Sequence, residues 1–171
     1  MQRIFITGNA GTGKTTLGER LSNILNINLV TLDAIVWQPG WLVTPTLERA
    51  NKIAEIIKPE KWLIEGVSKD ILNAADTIIF LDLTRKISYW RILKRNYKYL
   101  FKSRPSLPKN CPEILIIPKL IKIIWHFPTK VRPTIIRHIE ENKNIKNIFH
   151  IRSKPELIDC LIYLKNKVAL T

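Results

Sequence analysis

Residues Gly8-Asn9-Ala10-Gly11-Thr12-Gly13-Lys14-Thr15 decide the fold. They satisfy the pattern Gly-x-x-x-x-Gly-Lys-Ser/Thr, a loop whose backbone N–H groups surround phosphate. The flanks agree with it. Arg3 to Thr7 is a short apolar run suited to a buried parallel strand, and Leu17, Leu21, Ile24 and Leu25 recur at helical spacing within residues 16–25. Strand, glycine loop and helix is the order in which this loop occurs.

Each residue of the loop has a physical task. Glycines at 8, 11 and 13 allow turns that a Cβ obstructs. N–H groups from Gly8 through Asn9, Ala10, Gly11, Thr12 and Gly13 to Lys14, Thr15 and Thr16 can then point at one anion, helped by the positive end of the helix dipole. Lys14 supplies a full charge for β- and γ-phosphates, and the Thr15 hydroxyl is a ligand for Mg²⁺.

A length of 171 residues suits one domain with its own core, residues 1–171. Charges and prolines interrupt every apolar run before it reaches membrane-spanning length, and a strand starting at residue 3 leaves no room for a signal peptide. Cys111 and Cys160 lack metal-ligand spacing and read as reduced thiols of a cytoplasmic protein with no membrane partner. The net charge of +14 is concentrated. Residues 85–139 hold fourteen Lys and Arg against one acid, Glu113, which is +13. Such a segment attracts nucleotides, nucleic acid or acidic surfaces, or it is a solvated basic face.

Strands and helices alternate along the chain. Strands are expected at 28–32, 61–64, 77–81 and 147–151. Helices are expected from a Thr44-Pro45 start to about Ile57, then at 69–74, 85–101, 113–125 and 130–141. A last one, opened by a Ser153–Glu156 capping box, runs to about Lys167. Three prolines make 103–112 a loop. This alternation gives a parallel sheet covered on both faces, with ligands beyond the carboxyl ends of its strands. Those ends are Gly8, Asp33, Glu65, Asp82 and Arg152-Ser153.

Three of these positions are carboxylates. Glu65 and Asp82 each follow a hydrophobic run, and either suits the metal side of a nucleotide site or a helix cap; Glu65, followed by Gly66, is the favoured metal-side residue with Thr15. Asp33 is placed to take a proton from an acceptor hydroxyl, or to cap the following turn. Arg91 and Arg95, four apart on one helix face, suit the charge of a transferring phosphoryl group, with Lys94, Lys98 and Arg104 extending the basic surface. Tyr89, Trp90, Tyr97, Tyr99 and Phe101 interleave with these bases, either as a core stripe or as a platform for single-stranded nucleic acid.

Several blocks together resemble the topology modulation proteins, adenylate-kinase-related P-loop proteins. Besides Gly8 to Thr15 these are Leu32 to Trp41, Ile64-Glu65-Gly66, Trp90 to Arg95, Ser103-Arg104-Pro105, Cys111-Pro112-Glu113, Ile124 to Pro128 and Ile151-Arg152-Ser153. The resemblance implies an α/β nucleotide-kinase-like fold with a five-stranded parallel sheet. It also implies ATP as phosphate donor and a helical lid within about residues 85–140. By position, Asp33 faces the acceptor, Arg91 and Arg95 are lid-side, and Ser153 and Lys154 lie near the adenine. Two positions depart from the pattern: Glu65 and Val67 stand where the family has aspartate and asparagine, and Trp37 and Gln38 stand where adenylate-type kinases place an acceptor-binding arginine.

The expectation is therefore a small phosphotransferase that uses ATP and Mg²⁺ on an unidentified hydroxyl or phosphate acceptor. The alternative is a nucleic-acid-associated ATPase affecting DNA topology through the basic segment. A signalling GTPase is not expected, because the chain lacks an Asn-Lys-x-Asp run and an Asp-x-x-Gly switch after the third strand.

Overall fold

The computed structural model describes residues 2–99 and 111–169, with the side chains of 95–99, 113, 168 and 169 outside that description. The main sheet has five parallel strands: β1 (Arg3–Gly8), β2 (Leu29–Thr31), β5 (Trp62–Glu65), β6 (Thr77–Leu81) and β7 (Asn147–Ile151). Their order is β2-β5-β1-β6-β7, so the chain leaves β1 toward one edge and later returns to its other side. β1 pairs with β5 from Arg3↔Trp62 to Ile6↔Glu65, and with β6 from Ile4↔Thr77 to Gly8↔Leu81. The phosphate loop thus leaves the sheet at its topological switch, where ligands of open α/β sheets bind.

Burial on both faces explains the unbroken apolar strands. On one face Phe5, Ile64, Ile78 and Phe80 pack with Ile71 and Leu72 of α4 (Lys69–Ala74) and with Ile135 and Ile139 of α7 (Arg132–Asn142). On the other, Ile4, Ile6, Leu63, Ile79 and Ile151 pack against Leu17 and Leu21 of α1 (Lys14–Leu25) and Cys160 and Leu164 of α8 (Lys154–Ala169). Consecutive residues of one strand alternate between these clusters, as the two-residue strand period requires.

The basic segment folds as α5 (Arg85–Tyr99), α6 (Glu113–Lys130) and α7, with α5 packed on α6 and α6 on α7. Among the described residues, no helix is long and apolar enough to cross a membrane.

The sequence expectations differ from the structure at several places. The second strand stops at Thr31, and Leu32–Val36 form a short helix, α2. Leu32 packs where Gly66 has no side chain, since a Cβ on Gly66 would lie 2.7 Å from the Leu32 Cβ. The chain turns inward there, and Asp33 sits in the first turn of α2. A hairpin follows that the alternation gave no hint of: β3 (Trp37–Gln38) pairs antiparallel with β4 (Leu42–Val43) around a 3₁₀ turn, Pro39–Trp41. Thr44 caps no helix. Its hydroxyl donates to the Ile35 carbonyl at 2.7 Å to close this excursion, and α3 (Thr46–Ile56) starts without a side-chain cap.

α6 also runs past Trp125 and through Pro118 and Pro128. Pro128 removes the donor for the carbonyl of Ile124, four residues back; Asn9 Nδ2 of the phosphate loop donates to that carbonyl instead, at 3.1 Å. At the start of α8, Ser153 Oγ accepts from Glu156 N–H, while Glu156 accepts from the N–H of Arg152, one residue before the expected one. The loop expected at 103–112 lies outside the described residues up to 110.

Candidate functional site

One cleft of about 840 Å³ crosses the carboxyl ends of the strands. Its floor is the phosphate loop and the start of α1. Toward the β2 edge it is lined by Leu32, Asp33, Val36, Trp37, Trp41 and Val67; α6 supplies Ile116, Leu120, Ile123 and Phe127, and α8 supplies Leu157 and Leu161.

The loop is held by its own polar groups and by neighbours. Thr12 Oγ1 donates to the Asn9 carbonyl at 2.9 Å, and Asn9 Oδ1 accepts from the Ala10 N–H at 2.8 Å. Asn9 and Thr12 are both buried. Gly11 is required twice over. Its φ is +76°, and a Cβ would lie 2.7 Å from the Ser88 carbonyl oxygen and 2.9 Å from Ile92 Cγ1, both on α5. Gly13, at φ +96°, is the N-cap of α1 and turns the chain into the helix.

Lys14 and Arg91 both donate hydrogen bonds to carbonyls of this loop. Lys14 Nζ donates to the carbonyls of Gly8 (3.1 Å) and Asn9 (2.9 Å), and Arg91 Nη1 donates to the carbonyl of Thr12 at 2.6 Å. An ammonium and a guanidinium thus each hold a different part of the loop, and both line the cleft.

The two candidate metal-side carboxylates have different surroundings. Thr15 Oγ1 donates to Glu65 Oε1 at 3.0 Å, and Glu65 is 3% exposed at the end of β5, next to β1. The pair offers hard oxygen atoms beside the phosphate loop, fitting an ion that takes few protein ligands and completes its shell with phosphate oxygens and water. Among the described residues, no group of three or more His, Cys, Asp and Glu side chains is placed to hold a metal ion by itself. Asp82 is committed elsewhere. Arg132 Nε and Nη2 donate to its two oxygens at 2.8–3.1 Å, and His150 Nε2 lies 2.8 Å from Oδ2. Burial disfavours its charge, but these hydrogen bonds and the neighbouring positive charges outweigh it and hold its carboxyl below the usual carboxylate range. Asp82 thus fastens α7 to β6 and β7, which neither expectation for it included.

The remaining candidates divide. Asp33 lines the cleft from the first turn of α2. Arg95 continues α5, but its side chain lies outside the described residues, as do those of Lys98, Arg104, Tyr97, Tyr99 and Phe101. Trp90 is 68% exposed, so it belongs to no core stripe. Ser153 and Lys154 begin α8 and do not line the cleft, although Leu157 and Leu161 farther along that helix do.

Trp41 was missed as a site residue. It lines the cleft with φ +61°, rare for a bulky residue; its ring meets Trp37 edge-on at 5.4 Å, and its Nε1–H donates to the Pro112 carbonyl at 2.9 Å. The Pro39-Gly40 pair between β-favouring residues was the available signal for the hairpin that carries it.

These features define an α/β P-loop fold of the nucleotide-kinase type. No protein-family model matches the sequence, and no curated protein sequence matches it. Solved structures do. Shikimate kinase from Acinetobacter baumannii, in complex with shikimate, superposes with a TM-score of 0.59 at 12% identity, covering 100% of this chain and 95% of its own. Deoxyadenosine kinase from M. mycoides, with bound dATP, gives 0.53 at 13% identity, with 95% and 98% covered. Shikimate kinase from Bacteroides thetaiotaomicron gives 0.52 at 18% identity, with 98% of each chain covered. At such identities the likeness establishes the fold.

Proposed function

We propose that this chain is an ATP-dependent phosphotransferase that moves the γ-phosphoryl group to a small acceptor. The observation that carries the reading is the Thr15–Glu65 hydrogen bond beside Lys14, in the same cleft as Asp33. Small-molecule and nucleoside kinases among the structural neighbours support it; they lend no support to the nucleic-acid reading of the basic segment. Residues 1–171 act as one kinase-like domain, with 85–140 as its lid-bearing segment, and the resemblance to the topology modulation proteins belongs to this proposal. Such a protein works in the cytoplasm, where ATP is at hand.

The loop N–H groups from Gly8 to Thr16 hold the donor phosphates. Lys14 turns from the loop carbonyls to the β- and γ-oxygens, and Arg91, joined by Arg95, follows from Thr12 to the equatorial oxygens. Thr15 and Glu65 would hold Mg²⁺, which would offset the negative charge of the donor phosphates. Asp33 takes the proton of the acceptor hydroxyl as its oxygen meets phosphorus. Ser153 and Lys154 border the adenine in this reading.

The test is ATP consumption with Mg²⁺ across nucleosides, nucleoside monophosphates and hydroxylated metabolites, with DNA added separately. A phosphorylated product lost in both Lys14→Ala and Asp33→Asn, with ATP binding kept in Asp33→Asn, is the expected result. ATP hydrolysis stimulated by DNA alone, in a salt-sensitive manner, overturns the proposal.

A further inference from the structure

The acceptor end of the cleft has a chemistry of its own. It lies over the β2 edge of the sheet, whereas α8 follows β7 at the other edge. Its walls are the indoles of Trp37 and Trp41 with the aliphatic side chains of Val36, Val67 and Ile116. Among described side chains that line the cleft, the charges at this end are acids: Asp33, and Glu65, which lies in register with Thr31 of β2 and precedes Gly66 and Val67. The lining cations sit elsewhere. Lys14 belongs to the phosphate loop, Arg91 of α5 donates to that loop at Thr12, and Arg20 lies toward α8, bordering a groove it shares with Leu161 and Lys165.

The two tryptophans are held in place. The Trp37 N–H donates to the Asp33 carbonyl, so ring and carboxylate leave the chain one short turn apart. Trp41 meets the Trp37 ring edge-on at 5.4 Å, and Lys119 Nζ stands 4.3 Å from the Trp37 ring centroid without itself lining the cleft. Trp41 keeps a left-handed backbone at φ +61°, secured by its hydrogen bond to Pro112, while Cys111 Sγ donates to the Gln38 carbonyl at 3.6 Å. Backbone strain fixed by its surroundings is a mark of a functional wall.

We infer that the acceptor is an uncharged alcohol carrying a planar ring, of the nucleoside type, with the ring against Trp37 and Trp41 and the hydroxyl at Asp33. This rests on the phosphotransferase reading and deepens it. An anionic acceptor would bring a phosphate or carboxylate into an apolar wall beside Asp33, where its desolvation meets no described cation lining that end. A planar neutral ring gains stacking on an indole at no such cost. In the transfer, a lone pair of the acceptor oxygen forms the new bond to the γ-phosphorus of ATP. The bond to the β–γ bridging oxygen breaks, ADP leaves with that electron pair, and the hydroxyl proton passes to the Asp33 carboxylate.

The experiment compares kcat/KM with ATP and Mg²⁺ for nucleosides, their 5′-monophosphates, uncharged aryl alcohols and alicyclic hydroxycarboxylates. Nucleoside binding is followed in parallel by tryptophan fluorescence with a non-hydrolysable ATP analogue present. The expected result is turnover of nucleosides, with kcat/KM about tenfold or more above their monophosphates. Trp37→Leu should raise KM and the nucleoside dissociation constant about tenfold with kcat nearly kept, and Trp37→Phe should recover most of that loss. Preference for a monophosphate or a hydroxycarboxylate overturns the acceptor class and leaves the phosphotransferase standing. Preference for aryl alcohols keeps the uncharged planar ring and overturns the nucleoside type. Phosphorylation of none of the four sets, with ATP only hydrolysed, overturns both readings. Equal kinetics and binding in wild type and Trp37→Leu overturns the stacking wall.

Discussion

Asn9 and Pro128 are coupled through one carbonyl, and the coupling is measurable. Pro128 has no N–H, so the Ile124 carbonyl lacks the donor normally found four residues onward in a helix. Asn9 Nδ2 donates to it at 3.1 Å; Asn9 is 3% exposed and Ile124 fully buried. In Asn9→Ala this carbonyl loses that partner in a place water does not reach, at a cost of about 1–3 kcal/mol. For a chain of this size each kcal/mol lowers Tm by about 2–4 °C. Pro128→Ala restores an N–H at helical spacing, so the same Asn9→Ala change made in that background should cost less, with a coupling energy on the order of 1 kcal/mol. Urea denaturation of the wild type, the two single variants and the double variant measures all four corners, provided the m-values agree. Additivity of the two changes within about 0.4 kcal/mol would falsify the account. It would mean that the phosphate loop and α6 are joined by other contacts and that Pro128 is incidental.

Asp82 gives a pH signature. Its folded pKa is depressed, so its contribution is fully present above its unfolded value of about 4 and is lost as pH falls through the folded value. Asp82→Asn should therefore be less stable than wild type at pH 7, with the gap closing in acid; an unchanged gap from pH 7 to pH 2 contradicts the Arg132–His150 account. Glu65→Gln should weaken nucleotide binding about tenfold with Mg²⁺ present and little when it is chelated, as isothermal titration would record; equal losses in both conditions rule against a metal-side role. Gly11→Ala should shift α5 or the loop, because its Cβ would stand 2.7 Å from the Ser88 carbonyl oxygen, and equilibrium dialysis should find nucleotide affinity reduced at least tenfold, the effect of about 1.4 kcal/mol. Burial pushes the Cys160 thiol up to about 12, so it should resist a thiol reagent at pH 8 until the chain unfolds, as mass spectrometry of timed labelling would show.

Much of the fold was legible because strand and helix periods differ. The runs at 77–81 and 147–151 and the helix at 69–74 coincide with β6, β7 and α4, where apolar character, length and flanking polar residues all agree. Residues 32–43 were illegible for the opposite reason. Leu32-Asp33-Ala34-Ile35-Val36 suits a strand as well as a helix, and what selects the helix is Leu32 filling the space over Gly66, a contact across more than thirty residues. Pro128 likewise reads as a helix end by local rules. The helix continues because its freed carbonyl finds Asn9, more than a hundred residues away in sequence.

The sequence alone determined the phosphate loop, since its glycines, Lys14 and Thr15 are contiguous and their conformation is largely local. It also determined the parallel sheet, through apolar runs that only a doubly covered strand tolerates. The tertiary structure decided which carboxylate stands by Thr15. Glu65 and Asp82 both end hydrophobic strands, but β5 brings Glu65 to the Thr15 hydroxyl while α7 delivers Arg132 to Asp82. It also decided that Trp37, Trp41 and Asp33 wall one end of the cleft, because an aromatic side chain gains its role from what folds against it. Spacing in the chain carries no record of such pairings when the partners meet only through packing.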